Sequence, residues 1–153
     1  MFIIVLAFLI GIVAGLRALT APAAVSWAAR LGLLPLQDTS LAFLGYAATP
    51  YIFTLLAIGE LINDKLPKTP SRKVPPQFIV RIITGAFSGA AVGAARQSLT
   101  IGLVAGAVGA VAGTLGGAAI RTKLAEAFGK DLPAALLEDA VAIILAIVVV
   151  TRL

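Results

Sequence analysis

"GIVAGLRALTAPAAV", residues 11–25, decides how the chain begins to fold, because it interrupts an apolar segment. No charged residue precedes Arg17. Thr20 and Pro22 follow, and both are typical of a helix start, since the hydroxyl can accept a hydrogen bond from a free amide and proline fits the first turn. We therefore predict that a first helix ends before Arg17 and that a short second helix over residues 21–31 has Thr20 as its N-cap.

The composition of the chain is that of a membrane protein. Of its 153 residues, 60% are hydrophobic and 12% are charged, and the mean hydropathy is +1.06. A single soluble core of this size cannot bury so much apolar surface. The sequence therefore predicts an all-α integral membrane protein with a single transmembrane helical domain over residues 1–153.

Charge and residue usage exclude several classes of function. The net charge of +5 arises from residues at predicted loops and helix ends, so we expect no nucleic-acid partner. The chain has no cysteine and no histidine, which removes thiol chemistry and the commonest proton shuttle and zinc ligand. The sequence contains no nucleotide, phosphate or metal-ligand motif. We therefore expect no enzyme activity, no catalytic residue, no cofactor and no metal.

The apolar segments predict five transmembrane helices and two short helices. The spans cover residues 1–16, about 40–64, 78–95, 99–120 and 133–150, and the short helices cover residues 21–31 and 121–129. Pro50 lies well inside the second span, so we expect a kink close to it. Prolines and basic residues over residues 64–77 predict an exposed loop. The sequence leaves open whether the short helices lie at the membrane interface or re-enter the membrane.

Glycines recur at a spacing of four along three of the predicted spans. Residues four apart share one helix face, and glycine there lets a neighbouring helix come close, which favours association in lipid. We predict a glycine zipper, with pore lining as the alternative, and we expect such faces to favour a homo-oligomer. The predicted packing positions are Gly11, Gly15, Gly85, Gly89, Gly93, Gly102, Gly106, Gly109, Gly113 and Gly117.

The opening stretch has a partner later in the chain. "GIVAG" at residues 11–15 recurs as "GAVAG" at residues 109–113, and a short helix and a further span follow each. One span separates the two pairs, so the second pair would enter the membrane in the opposite direction, as in the inverted repeats of many transporters. Matches of this length also arise by chance among glycine, alanine and valine, and the sequence leaves both explanations open.

Lysine and arginine set the predicted orientation, because cytoplasmic loops carry an excess of both. The segments after spans two and four carry Lys65, Lys68, Arg72, Lys73, Arg121, Lys123 and Lys130. The other side carries Arg17, Arg30, Arg96 and Arg152. The sequence therefore predicts a cytoplasmic N-terminus and a C-terminus outside, with Arg17 at the outer interface.

Acidic residues in membrane helices are costly, so they are the first functional candidates. They occur as a pair four residues apart at the end of span two and as an adjacent pair near the start of span five. Either they serve the passage of an ion or proton, or they form ion pairs that hold helices in register. The predicted cluster consists of Arg17, Glu60, Asp64, Arg81, Arg121, Glu138 and Asp139.

Five stretches carry a resemblance to a known family. They are "GLRALTAPAAVSWAARLG", "GELINDKLPKTPSR", "GAAVGAARQS", "GGAAIRTKLAEAFG" and "EDAVAI". Together they resemble the small bacterial membrane proteins grouped as domain of unknown function family 4126. The resemblance covers nearly the whole chain and implies a location in the bacterial inner membrane, but it implies no activity and no catalytic residue.

Two functions remain in view. The first is a small inner-membrane channel or transporter of an unknown ion or small molecule, acting as a homo-oligomer, in which Glu60, Asp64 and Glu138 meet the substrate. The alternative is a non-transporting protein that interacts with membrane lipid or supports a larger assembly, in which these charges are structural. We expect transport.

Overall fold

A computed structural model describes residues 1–65 and 74–153, and helices account for most of them. The α-helices of this part are α1 (Phe2–Leu16), α2 (Thr20–Arg30), α3 (Thr49–Asn63), α4 (Pro75–Ala94), α5 (Leu99–Phe128) and α6 (Asp131–Val150). A 3-10 helix, Ala42–Gly45, lies between α2 and α3. These two ranges contain no strand, so the predicted all-helical class is confirmed. Most of the predicted loop over residues 64–77 lies outside the described residues.

Three of the helices, α4, α5 and α6, are long and apolar enough to cross a membrane. α1 is apolar but has only 15 residues, and α3 also has 15. At 1.5 Å per residue each of these two rises about 22 Å, which is less than the ~30 Å of a hydrocarbon core. The helices therefore have membrane character, but the predicted number of five spans is not confirmed.

The second predicted span is shortened because α3 begins at Thr49. The residues before it form the 3-10 helix and turns instead. Pro50 lies in the first turn of α3, where its missing N–H removes no helical hydrogen bond. The predicted kink at Pro50 is therefore wrong, because this proline starts the helix.

The fourth predicted span and the short helix after it form one continuous helix, α5. Residues 118–128 contain no glycine or proline and are rich in strong helix formers. The prediction of a separate short helix over residues 121–129 is therefore wrong. α5 does end at the predicted glycine, Gly129, whose φ of 71° lies in the left-handed region that glycine adopts at helix ends.

α2 is a core helix that packs against α3, α4 and α6. It buries seven of its eleven residues, and Ser26 Oγ donates a hydrogen bond to the Leu44 carbonyl oxygen at 2.6 Å. A helix at the membrane interface would instead keep a broad polar face exposed. Thr20 lies within the helix and supplies no cap hydrogen bond, so its prediction as the N-cap is wrong.

Where α1, α4 and α5 meet at glycines, their contacts leave no room for a larger residue. A Cβ built at Gly15 would lie 2.5 Å from the carbonyl oxygen of Ala110, and one at Gly89 would lie 2.7 Å from the Cα of Gly106. Real Cβ atoms do not approach this closely, so the helix backbones touch directly. The glycines with such contacts are Gly11, Gly15, Gly85, Gly89, Gly93, Gly102, Gly106, Gly109 and Gly113. We call α1, α4 and α5 the glycine-packed unit.

The directions of α1 and α5 follow from their contacts. Phe8 meets Gly109 and Ile12 meets Gly113, so the two helices run the same way. An inverted repeat requires the matching helices to run in opposite directions. The predicted inverted repeat is therefore not confirmed. The two stretches resemble each other in having glycine where α1 and α5 pack together.

The two ends of the chain lie at one end of the bundle. Arg17, directly after α1, contacts the start of α6, so α1 ends where α6 begins. The start of α1 and the end of α6 therefore lie together at the opposite end of the bundle. α2 runs away from this point and α3 returns to it, as the contacts of Leu19 with Glu60 and of Trp27 with Thr54 show. The predicted placement of the termini on opposite sides of the membrane is therefore not confirmed, since it left out the reversal of direction that the buried helix α2 adds.

Candidate functional site

Seven charged side chains from four parts of the fold meet at the end of the bundle where α1 and α3 end and α4 and α6 begin. Each is linked to another by an ion pair whose partners belong to different elements. We call this set the charge cluster. It consists of Arg17, Glu60, Asp64, Lys65, Arg81, Glu138 and Asp139.

Arg17 is the centre of the charge cluster and is fully buried. Its Nη1 lies 2.6 Å from Glu138 Oε1 and 3.2 Å from Asp64 Oδ2, and its Nε donates to Asp139 Oδ1 at 2.5 Å. Nη1 also donates to the Leu16 carbonyl oxygen at 2.8 Å. A buried charge is tolerated only when it is paired in this way. The predicted position of Arg17 at the opposite, outer interface is therefore wrong, because three carboxylates hold it at this end.

Glu60 holds the start of α2. Its Oε1 accepts a hydrogen bond from the amide of Ala18 at 2.7 Å, and its Oε2 accepts one from the amide of Leu19 at 2.7 Å. The start of a helix leaves amides without partners and carries a partial positive charge, so a carboxylate there is stabilising. α2 is thus capped by a side chain of α3.

Arg81 satisfies the end of α1. Its Nη1 donates to the Gly15 carbonyl oxygen at 2.9 Å, and the hydroxyl of Thr114 donates to the same oxygen at 3.4 Å. The Nη2 of Arg81 lies 3.9 Å from Glu60 Oε1. Arg17 itself has an extended backbone, and this breaks the helix between α1 and α2. Carbonyl oxygens at the end of α1 and amides before α2 therefore bind charged side chains.

Two basic residues are placed differently from the prediction. Lys65 Nζ pairs with Asp139 Oδ2 and donates to the Leu61 carbonyl oxygen at 3.0 Å, whereas the sequence analysis counted it only as a loop charge. A lysine at a helix end commonly donates to the last carbonyl oxygens of the helix, so the position of Lys65 in the sequence could have predicted its contact with Leu61. Arg121 lies outside the charge cluster and pairs with Asp131, with Nη2 at 2.8 Å and Nε at 3.2 Å from the two carboxylate oxygens.

The carboxylates of the charge cluster can bind protons or cations in exchange for their basic partners. Within the described ranges, no three acidic side chains are arranged as a set of metal ligands. The chemistry of the site is therefore that of exchangeable ion pairs around a helix break.

A groove of about 410 Å³ lies beside the charge cluster, between α1, α5 and α6. Its walls are apolar except at the end where Arg121 and Glu138 lie. We call it the apolar groove. Residues that line it include Ile12, Leu16, Gly116, Gly117, Val141 and Leu145.

These features define an all-helical protein with helices of membrane-spanning length and a buried charge cluster at a helix break. Residues 4–152 match the family described as Domain of unknown function (DUF4126). The chain belongs to this family, which confirms the resemblance seen in the sequence. No curated protein and no solved structure matches the chain. The family description carries no activity, so the geometry of the charge cluster is what bears on function.

Proposed function

We propose that the chain is a small transporter or channel-like protein of the bacterial inner membrane, in which the charge cluster controls the passage of its substrate. The observation that carries this proposal is the break between α1 and α2, whose peptide groups face Arg17, Glu60 and Arg81 inside the protein. In many transporters, broken helices form the substrate site, since their free amides and carbonyls bind charged groups.

The attachment of α3 supports this proposal. α3 packs chiefly on α2 and on the 3-10 helix, and its Phe53 ring lies 6.5 Å from the ring of Phe87 on α4. Its end is joined to the rest of the bundle by polar contacts: Glu60 with two amides, Asp64 with Arg17, and Lys65 with Asp139. Ion pairs can exchange partners without repacking a core, and such exchange accompanies many conformational switches. We infer that α3 moves when the charge cluster rearranges.

The sign of the charges favours a proton or a small cation as the substrate. A cation that binds Asp64 or Glu138 competes with Arg17, and protonation of Glu60 weakens its hold on the amides of α2. In both cases the links that hold α3 become weaker. In this proposal Glu60, Asp64 and Glu138 meet the substrate, while Arg17 and Arg81 set the field around it.

The completeness of the pairing supports a second function. The carboxylates of the charge cluster all have a basic partner or a backbone donor. This is expected if the charges have a purely structural function and only hold the helices together. In that case the protein does not transport, α3 stays in place, and the chain acts through lipid or a larger assembly.

Transport in proteoliposomes separates the two functions. The probes are protons, K⁺ and Na⁺, followed with an entrapped pH-sensitive dye and with isotope uptake. We compare the wild type with Glu60→Gln, and we use Glu126→Gln, an exposed glutamate of α5, as the matched control. Glu60→Gln should lower the initial rate about tenfold, the effect of adding roughly 1.4 kcal/mol to the limiting barrier. Its unfolding midpoint should fall only slightly, because the Gln oxygen can still accept one of the two α2 amides, and Glu126→Gln should transport normally.

The opposite result supports the structural, non-transporting function. If the wild type moves none of the three probes faster than empty liposomes, and Glu60→Gln chiefly lowers the unfolding midpoint, the proposal of proton or cation transport is overturned.

A further inference from the structure

The apolar groove is a space that no described residue fills. Gly116 lines it, and a Cβ built at Gly116 meets no atom within 4 Å. At Gly113, by contrast, a Cβ would lie 2.9 Å from the Cα of Ile12. α5 is thus packed closely against α1 along one face and is open along the neighbouring face.

The chemistry and size of the groove fit a hydrocarbon chain. Ile12, Leu16, Val141 and Leu145 line it, and Leu137 of α6 is both part of the lining and exposed. A void at this place would cost its lining residues their dispersion contacts. A volume of about 410 Å³ accommodates a flexible acyl chain, whereas a helix with its side chains is about 10–12 Å across and needs more room.

The end of the groove next to the charge cluster is lined by Arg121 and Glu138. Arg121 donates Nε and Nη2 to Asp131, and its Nη1 makes no hydrogen bond to any residue that the structure describes. Lys123 and Lys130 are exposed close to it in the chain, on α5 and directly before α6. Basic pockets between membrane helices bind anionic lipid headgroups. We propose that the apolar groove binds one acyl chain of an anionic phospholipid, whose phosphate accepts a hydrogen bond from Arg121. This site does not depend on transport.

Native mass spectrometry of the full chain in detergent tests the proposal. The probes are phosphatidylglycerol and phosphatidylcholine with identical acyl chains, which differ in headgroup charge. Gly116→Leu fills the groove, and Gly59→Leu is its matched control, because a Cβ at Gly59 on α3 also meets no atom within 4 Å. Arg121→Gln removes the headgroup contact, and Arg96→Gln removes an exposed charge at the other end of the bundle.

We expect the wild type to retain phosphatidylglycerol over phosphatidylcholine. Gly116→Leu should retain about tenfold less lipid, a loss of roughly 1.4 kcal/mol of binding free energy, and Arg121→Gln should bind the two lipids equally. Gly59→Leu and Arg96→Gln should behave as the wild type. If Gly116→Leu does not fold, the proposal is tested by the headgroup preference of Arg121→Gln alone.

Three results would overturn the proposal. The first is equal retention of the two lipids by the wild type. The second is a headgroup preference unchanged in Arg121→Gln. The third is a change of oligomeric state in Gly116→Leu with lipid retention unchanged, because a second copy of the chain would then be the occupant.

Discussion

The glycine-packed unit and α3 belong to the same bundle but are attached by opposite means. At their glycines, α1, α4 and α5 touch largely through backbone atoms. α3 is joined at its end by the ion pairs and hydrogen bonds of the charge cluster. Close-packed contacts cannot yield without separating the helices, whereas ion pairs can exchange partners. The difference teaches that this small fold joins its helices by two means, close backbone packing in one part and ion pairs in the other.

The largest effect is expected at Arg17, where the two parts meet. Arg17→Met leaves the carboxylates of Asp64, Glu138 and Asp139, the last two buried, without their central partner, so the free energy of unfolding should fall by about 3–5 kcal/mol. Chemical unfolding in detergent measures this, with Arg30→Met, at an exposed position of α2, as the control. A loss no larger than that of the control would show that the charge cluster does not hold the helices together.

The glycine-packed unit should respond to a single methyl group. A Cβ at Gly106 would lie 2.9 Å from the Cα of Gly89, so Gly106→Ala should lower the free energy of unfolding by about 1–3 kcal/mol through overpacking. Gly59→Ala, in an open part of α3, should instead gain up to about 1 kcal/mol from helix propensity. The same unfolding assay measures both. Equal effects at the two positions would mean that close backbone packing does not distinguish the unit from α3.

The capping of α2 by α3 predicts a smaller, local effect. Glu60→Ala removes the acceptor of the Ala18 and Leu19 amides, so stability should fall by about 1–2 kcal/mol. Hydrogen exchange at these two amides should become faster. Thr20→Ala should change neither quantity, because its hydroxyl makes no cap hydrogen bond. Exchange at these two amides that is no faster in Glu60→Ala than in the wild type would show that Glu60 does not cap α2.

The smallest effect is expected at the pair outside the charge cluster. Arg121 and Asp131 form a bidentate ion pair in which Asp131 is largely exposed, and such pairs contribute about 0–1 kcal/mol. A double-mutant cycle of Arg121→Gln and Asp131→Asn measures the coupling. A coupling free energy larger than the stability lost in Arg17→Met would show that this exposed pair, and not the charge cluster, holds the helices together more strongly.

The sequence predicted the elements whose signals are local. The apolar lengths of α4 and α6 and the left-handed glycine at the end of α5 are determined by neighbouring residues, and the structure places them close to the predicted bounds. Pro50 was misjudged because a proline can either kink a helix or start one, and packing decides between the two.

The candidate site was less predictable because its partners are distant in the chain. Arg17 and Asp139 are 122 residues apart, and the cap of α2 comes from Glu60, 41 residues from Leu19. A positive-charge count treats every arginine as solvent-exposed, so it assigned Arg17 to an interface, although the predicted cluster already included this residue. The acidic pairs were found because buried carboxylates are rare in apolar helices.

The location of the start of α1 and the end of α6 at one end of the bundle has a consequence for gene fusion. A reporter enzyme attached to either terminus should meet the same compartment, so the two fusions should give the same signal. Two copies of the chain joined in tandem by a short linker should also insert in the same orientation without an added transmembrane segment. A bundle whose termini lay at opposite ends would need such a segment to do so.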